Sequence, residues 1–357
     1  MPSIPESAVL DALRAVRDPD LGRDIVDLGF VKQLVIDGGR VSFQIELTTP
    51  ACPVKEQMRS QADRAVRAVP GVEDVAIEMT AQVTSATPSY ENRPTIPGVK
   101  NVIAVSSGKG GVGKSTVAVN LACALHRSGA RTGILDADLY GPNVPMMLGL
   151  SGQPMTQNKR IVPFVRDGIQ AISIGLLVPE EQPVIWRGPM LHNAMRQFLF
   201  EVAWDTLDYL IVDLPPGTGD AQLSLAQQAA LTGAVIVTTP QQVAVHDVRK
   251  AIRMFETVKV EVLGVIENMS YFTPPGHTER YEIFGKGGGA RIEAEFGVPL
   301  LGQLPIELAV REGGDTGKPV VLSQPDSEIA RAFLDAAGNI AARISTRNAR
   351  AAAEVTT

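Results

Sequence analysis

Gly108-Lys109-Gly110-Gly111-Val112-Gly113-Lys114-Ser115-Thr116 follows directly on the apolar run 102–105. It satisfies G-x-x-x-x-G-K-[ST] in the strand, loop, helix setting the pattern requires. Glycine lets a backbone approach phosphate oxygens, and the N–H groups and dipole at the start of the helix at Ser115 favour negative charge. Lys114 is then the group to reach β and γ phosphates, and Ser115 a ligand for Mg²⁺. Gly108, Gly110, Gly111, Val112, Gly113 and Thr116 complete the cradle.

The chain around this loop alternates continuous apolar runs with helical spacing. The runs are 102–105, 133–135, 209–212, 234–237, 262–266 and 300–304. Strands that are apolar throughout and separated by helices predict a parallel sheet covered on both faces, so residues 99–345 read as an α/β P-loop domain. Two of the runs end in carboxylates. Leu135-Asp136-Ala137-Asp138 and Tyr209-Leu210-Ile211-Val212-Asp213 place Asp136, Asp138 and Asp213 at strand carboxyl ends, where a parallel sheet presents its ligands. Asp213 stands in the Walker B position, which holds Mg²⁺ through water.

Upstream lies a smaller α+β unit, residues 1–83. Val9, Leu10, Leu13 and Val16 recur at helical spacing, and Asp18-Pro19 should end that helix. Val41, Phe43, Ile45 and Leu47 alternate with Ser42, Gln44 and Glu46, the mark of a strand with one wet face. After Thr48-Thr49-Pro50-Ala51-Cys52-Pro53, the residues Val54, Met58, Ala62, Ala65 and Val69 predict a helix with Pro53 in its first turn. Residues 72–79 read as another strand. Residues 84–98, with Pro88, Pro94, Pro97 and Gly98, read as a linker, and 346–357 as a frayed polar tail.

Composition limits the rest. The 357 residues carry 33 basic and 39 acidic side chains, a formal charge of −6, so general attraction to nucleic acid is not expected. No apolar run of membrane-spanning length and no basic-then-apolar leader is present, which predicts an unexported, cytoplasmic protein with no membrane partner. Cys52 and Cys123 are too few for a disulfide framework or for an all-cysteine tetrahedral site within one subunit. Cys123 falls among Val119, Leu121, Ala122 and Leu125, where a small thiol packs well. Cys52 precedes Pro53 at an expected helix start, where the dipole would lower its pKa and favour a metal-binding or sulfur-exchanging thiolate. A structural turn is the alternative for Cys52.

Lys109, five positions before Lys114, resembles the extra lysine of the deviant P-loop ATPases, the class of MinD, ParA and the nitrogenase iron protein. The resemblance implies a homodimer in which Lys109 crosses to the other subunit's nucleotide. It also implies that the stretch at Asp136-Ala137-Asp138 is the first switch, with Asp138 orienting the attacking water and Asp136 near the Mg²⁺ shell. Gly217, in Pro215-Pro216-Gly217-Thr218-Gly219-Asp220, would offer an N–H near the γ phosphate as part of the second switch. Asn268 matches the adenine-bonding position and Pro305 the other side of that pocket. No N-K-x-D guanine signature is present, which favours ATP.

Further stretches narrow the resemblance. Asp213-Leu214-Pro215-Pro216-Gly217-Thr218-Gly219-Asp220, Tyr140-Gly141-Pro142-Asn143-Val144-Pro145, Trp186-Arg187-Gly188-Pro189-Met190, Asn268-Met269-Ser270 and Ile283-Phe284-Gly285-Lys286-Gly287-Gly288-Gly289 are similar to the Mrp/ApbC family of iron-sulfur cluster carrier ATPases. The unit with Asp18-Pro19-Asp20 and Cys52-Pro53 is similar to a SufT-like domain. The family implies a bridging [4Fe-4S] cluster, apo iron-sulfur clients and assembly machinery. Its C-x-x-C pair is absent here, replaced by Tyr271-Phe272-Thr273-Pro274-Pro275-Gly276-His277-Thr278-Glu279-Arg280-Tyr281-Glu282. Three functions are therefore open: a cluster carrier, a family ATPase without its own cluster acting as scaffold or regulator, and a MinD or ParA type positioning ATPase.

Overall fold

A computed structural model describes residues 4–85, 93–139, 141–176 and 188–356, without the side chains of residues 188–192, 220–221 and 354–356. The chain divides into two compact units, Met1–Thr84 with Ala341–Thr357, and Ser85–Ile340.

In the smaller unit, α1 (Glu6–Leu13) precedes β1 (Val31–Asp37), β2 (Arg40–Leu47), α2 (Lys55–Arg67) and β3 (Asp74–Ala81). β2 is central, antiparallel to β1 and parallel to β3. The alternation in β2 does what the pattern required: Val41, Phe43, Ile45 and Leu47 are buried against Leu13, Met58, Ala62 and Val66. Pro53, however, lies outside α2, which begins at Lys55 with Val54 as its cap. The turn at Cys52 and Pro53 intervenes, so Cys52 is not at the helix start.

The larger unit begins with β4 (Val99–Ser107), α3 (Lys114–Arg127), β5 (Thr132–Asp136) and α4 (Val144–Leu148). Four short strands follow, β6 (Thr156–Gln157), β7 (Arg160–Ile161), β8 (Phe164–Arg166) and β9 (Ile169–Ser173). Next come α5 (Gly188–Phe200), β10 (Leu207–Asp213), α6 (Asp220–Gln228), β11 (Gly233–Thr238), α7 (Gln242–Thr257) and β12 (Val262–Glu267). The unit closes with α8 (Gly288–Phe296), β13 (Leu300–Gln303), α9 (Leu308–Thr316), α10 (Val320–Ser323) and the first part of α11 (Glu328–Thr356).

Its sheet runs β13-β12-β11-β4-β10-β5-β9-β8. All neighbours are parallel except the edge strand β8, antiparallel to β9. The alternation of apolar runs and helices accounts for the sheet; the β8 edge was not expected. Register fixes the site: Asp213 pairs with Val105 on one side and with Asp136 on the other, so the ends of β4, β5 and β10 are level. Met195, Phe198, Leu225, Val248, Ile252 and Phe255 from α5, α6 and α7 pack on one face of the sheet.

Two boundary expectations change. Ile96 is buried in the larger unit's core, and the Pro94 carbonyl accepts the Ala230 N–H at 3.1 Å, so the expected linker is anchored to that unit at these two residues. Residues 86–92 of the expected linker lie outside the described residues. The expected frayed tail is instead the end of α11, where buried Ser345 donates to Thr48 Oγ1 and buried Asn348 donates to the Thr84 carbonyl at 3.3 Å. Polar partners, not apolar spacing, hold this segment, which is why hydrophobic periodicity missed it. Among the described residues no helix is long and apolar enough to cross a membrane.

Candidate nucleotide-binding site

The loop between β4 and α3 is shaped by glycines with different duties. Gly111 and Gly113 have φ of 80° and 82°, the left-handed region that a side chain disfavours. A Cβ on Gly108 would fall 2.4 Å from the Asp247 carbonyl carbon and 2.6 Å from the Val248 nitrogen, so this glycine lets the loop lie on the backbone of α7. Gly110 and Lys109 face outward, with Lys109 partly exposed and its carbonyl accepting the Ser107 hydroxyl at 2.9 Å. Val112 is buried, Thr116 partly so, and α3 starts at Lys114.

Lys114, 6% exposed, carries the site's buried positive charge. Its Nζ is 2.6 Å from Asp213 Oδ1, 3.5 Å from Asp138 Oδ2 and 3.3 Å from Ser115 Oγ. Burial pushes the Asp213 carboxyl above the ordinary range, against the pull of Lys114 and Ser115. Asp213 Oδ2 is buried and has no hydrogen-bond partner. A buried carboxylate oxygen left unmatched beside a hydroxyl fits a hard cation with oxygen ligands.

Asp136 does something else. Its Oδ1 accepts the Asp138 N–H at 3.1 Å, and its Oδ2 accepts the Val144 N–H at 3.2 Å and the Ser173 hydroxyl at 2.9 Å. Three protein donors on its two oxygens make Asp136 a post for the turn that carries Asp138. Burial, and then the charge of Asp213, push its carboxyl up to about 7. Asp138, nearly buried, accepts the Gly141 N–H at 3.3 Å.

Gly217 has φ 92° and donates its N–H to the Ser107 carbonyl at 3.0 Å, so here that group serves the sheet end rather than pointing outward. Gln222 on α6 donates to the Pro215 carbonyl and steadies the same loop, a residue sequence reasoning did not single out. On the other side, Asn268 Nδ2 donates to the Val112 carbonyl at 2.9 Å, closing the loop's flank. Ser270 N–H donates to the Leu304 carbonyl and Leu304 N–H to the Glu267 carbonyl, both at 2.9 Å, which brings the Asn268 turn beside buried Pro305.

Glu267, 1% exposed, was also missed; a carboxylate closing an apolar strand was the available signal. It accepts the Gly289 N–H at 2.6 Å and Gln303 Nε2 at 2.8 Å. This explains the triple glycine. A Cβ on Gly288 would sit 2.9 Å from Pro240 Cα and 3.0 Å from Glu267 Oε2, so only glycine lets α8 start against that carboxylate.

The segment that stands where a C-x-x-C pair was expected is a small ladder. Phe272 pairs with Tyr281 and with Ile306, and the Arg280 guanidinium lies 4.2 Å from the centre of the Tyr271 ring. His277 is exposed on this loop. Trp186 and Arg187, and Tyr140, lie outside the described residues, as does the Asp220 side chain. Cys123 is fully buried and its thiol is pushed far above its ordinary range by burial. Cys52 is half-buried, and burial pushes its thiol up despite a hydrogen bond from the Val54 N–H. Desolvation thus works against the dipole activation that the sequence suggests.

Residues 98–341 match the family model described as NUBPL iron-transfer P-loop NTPase, and residues 6–79 match that of an iron-sulfur cluster assembly protein. The chain belongs to the NUBPL iron-transfer P-loop NTPase family. Members similar to it include the iron-sulfur cluster carrier protein of Synechocystis sp., 52% identical over 344 residues, covering 95% of this chain and 97% of that one. The carrier protein of Deinococcus radiodurans is 50% identical over 342 residues, covering 95% and 96%. A nucleotide-binding protein from Archaeoglobus fulgidus, solved in complex with ADP, is similar at 38% identity and a TM-score of 0.59, covering 67% of this chain and 93% of that one. The cell division ATPase MinD of Pyrococcus furiosus shares the fold at 24% identity and a TM-score of 0.51. The NUBPL-type domain is thus the larger unit, and its P-loop is the loop described above.

Proposed function

We propose that this chain is an ATP-hydrolysing carrier or assembly factor for iron-sulfur clusters, acting in the cytoplasm as a homodimer that opens and closes with its nucleotide. The observation that carries the reading is the convergence of Lys114, Asp138, Asp213 and Ser115 at the level ends of β4, β5 and β10. The names of the relatives support the cargo.

Lys114 binds the β and γ phosphates, leaving Asp213 as it does so. Ser115 and Asp213 would hold Mg²⁺, whose contribution is to neutralise charge developing on the phosphates. Asp138 orients the attacking water. Lys109, reaching from the partner copy, adds a cation in trans; a finger of this kind is worth about 10³ to 10⁵ in rate. Asn268 and Pro305 flank adenine. Loss of the γ phosphate releases both switches, and the dimer relaxes.

The [4Fe-4S] cluster is cargo, and the chain's own donors do not complete its ligand set. Four thiolates are the usual requirement. Two copies offer only two half-buried Cys52 thiols, since Cys123 is sealed in the core. Among the described residues no three His, Cys, Asp or Glu side chains converge as a site for a metal ion. That chemistry favours a second reading, in which the chain acts as the nucleotide-driven scaffold and a client or assembly partner brings most of the thiolates. Anaerobic incubation with iron and sulfide separates the two. Stoichiometric iron with a visible band, lost in Cys52→Ser, supports a carrier using its own thiol; iron retained only when an apo client is present supports the scaffold. Absence of ATP hydrolysis in the full chain would end both.

A further inference from the structure

We propose that Ser173 is a positioning residue for hydrolysis, acting through Asp136 on the turn that carries Asp138. The inference rests on the reading of Asp138 as the group that orients the attacking water.

Ser173 ends β9 and is fully buried, as is Asp136 across the strand pair, where the two residues are in register. The serine hydroxyl donates to Asp136 Oδ2 at 2.9 Å and accepts the Gly175 N–H at 3.1 Å. Its proton therefore has one direction to go. Asp136 in turn fixes the first switch at two points, through the Asp138 N–H on Oδ1 and the Val144 N–H on Oδ2. A third brace is steric: a Cβ on Gly175 would lie 2.7 Å from Pro142 Cγ, so the chain after β9 already abuts the turn.

The electrostatics make such bracing necessary. Asp138 and Asp213 share one buried cation, Lys114, and the charge of Asp213 also bears on Asp136. Without the Ser173 hydroxyl, Oδ2 keeps only the longer Val144 N–H bond, and the Asp136 carboxylate gains rotational freedom. Asp138, hung from its other oxygen, then loses its aim. A misplacement on the order of 1 Å in a reacting array can lower a rate about 10²-fold. Ser173 donates to a carboxylate that touches both ends of the switch.

The test uses the full chain with Ser173→Ala and the hydroxyl-restoring Ser173→Thr. Expected for Ser173→Ala is a kcat for ATP lower by about tenfold, the scale of one lost hydrogen bond to a charged group, with the Kd for a fluorescent ATP analogue within about twofold of wild type. Ser173→Thr should recover most of the rate. Independently of turnover, hydrogen exchange over residues 137–148 should speed up in Ser173→Ala and not in Ser173→Thr. A folded Ser173→Ala with wild-type kcat and wild-type exchange overturns the proposal, as does an equal loss in affinity and rate. If the wild-type chain releases no phosphate, the hydrolytic reading fails, and the exchange comparison still decides whether Ser173 holds the switch. Should Ser173→Ala fail to fold, Ser173→Cys keeps the volume with a weaker donor and carries the same two readouts.

Discussion

Lys114 Nζ and Asp213 Oδ1 lie 2.6 Å apart with both side chains buried, which ties the P-loop to the end of β10 by a single ion pair. Lys114→Ala leaves Asp213 without its cation beside two other carboxylates. Removing one partner of a buried pair costs about 3–5 kcal/mol. The expected outcome is loss of phosphate release together with a lower thermal midpoint. Wild-type turnover in this variant would exclude the loop as the hydrolytic site.

Lys109→Ala addresses the trans cation. Its side chain is partly exposed, so stability should barely move. Steady-state ATP hydrolysis should fall by about 10³-fold or more while nucleotide affinity stays near wild type. Normal hydrolysis sinks the trans-lysine assignment and leaves the rest of the site standing.

The buried carboxyl of Asp136, raised to about 7, links stability to pH. Unfolded, an aspartate releases its proton near pH 3.9. Between that value and about 7 the folded chain holds a proton the unfolded chain has lost, so this group's contribution to stability falls as pH rises through the window. Thermal midpoints taken from pH 4 to 7.5 should decline more steeply for wild type than for Asp136→Asn. Parallel curves would show that Asp136 does not titrate there.

Thiol chemistry offers an independent check. At pH 8 Cys52 should react with iodoacetamide more slowly than a free cysteine, since burial disfavours its thiolate. Cys123 should remain unmodified until the chain is unfolded. Mass spectrometry of the alkylated peptides reads both. A fast-reacting Cys52 would restore the activated thiol that its place before Pro53 suggests.

Gly288→Ala should destabilise the larger unit by about 1–3 kcal/mol, the range for overpacking. The new methyl meets the Pro240 backbone, which cannot turn aside as a side chain would. Urea unfolding measures this directly, and an unchanged midpoint would mean that α8 starts less tightly on Glu267 than the 2.6 Å bond indicates.

Much of this architecture was legible in the sequence because its signals are local. The P-loop occupies one contiguous run, and β10 announces itself by four apolar or aromatic residues followed by Asp213. β9 was invisible: five residues with Gln170 inside them, no longer than many loops. The Ser173 to Asp136 bond joins residues 37 positions apart, and only strand pairing creates it. Cys52 shows the opposite failure. Its neighbours in sequence suggest activation, while its burial in three dimensions pushes the thiol the other way. Asn348 is similar, buried through Thr84, 264 positions away, in a stretch with little apolar rhythm.

Helix α11 starts in one compact unit and finishes in the other, so the polypeptide departs from the smaller unit after Thr84 and comes home to it at Ala341. The smaller unit is consequently not a bead that can be snipped off at a single peptide bond. Excising residues 1–84 alone would part Thr48 and Thr84 from Ser345 and Asn348, which donate to them. Any engineered exchange of this module has to carry residues 1–84 and 341–357 together.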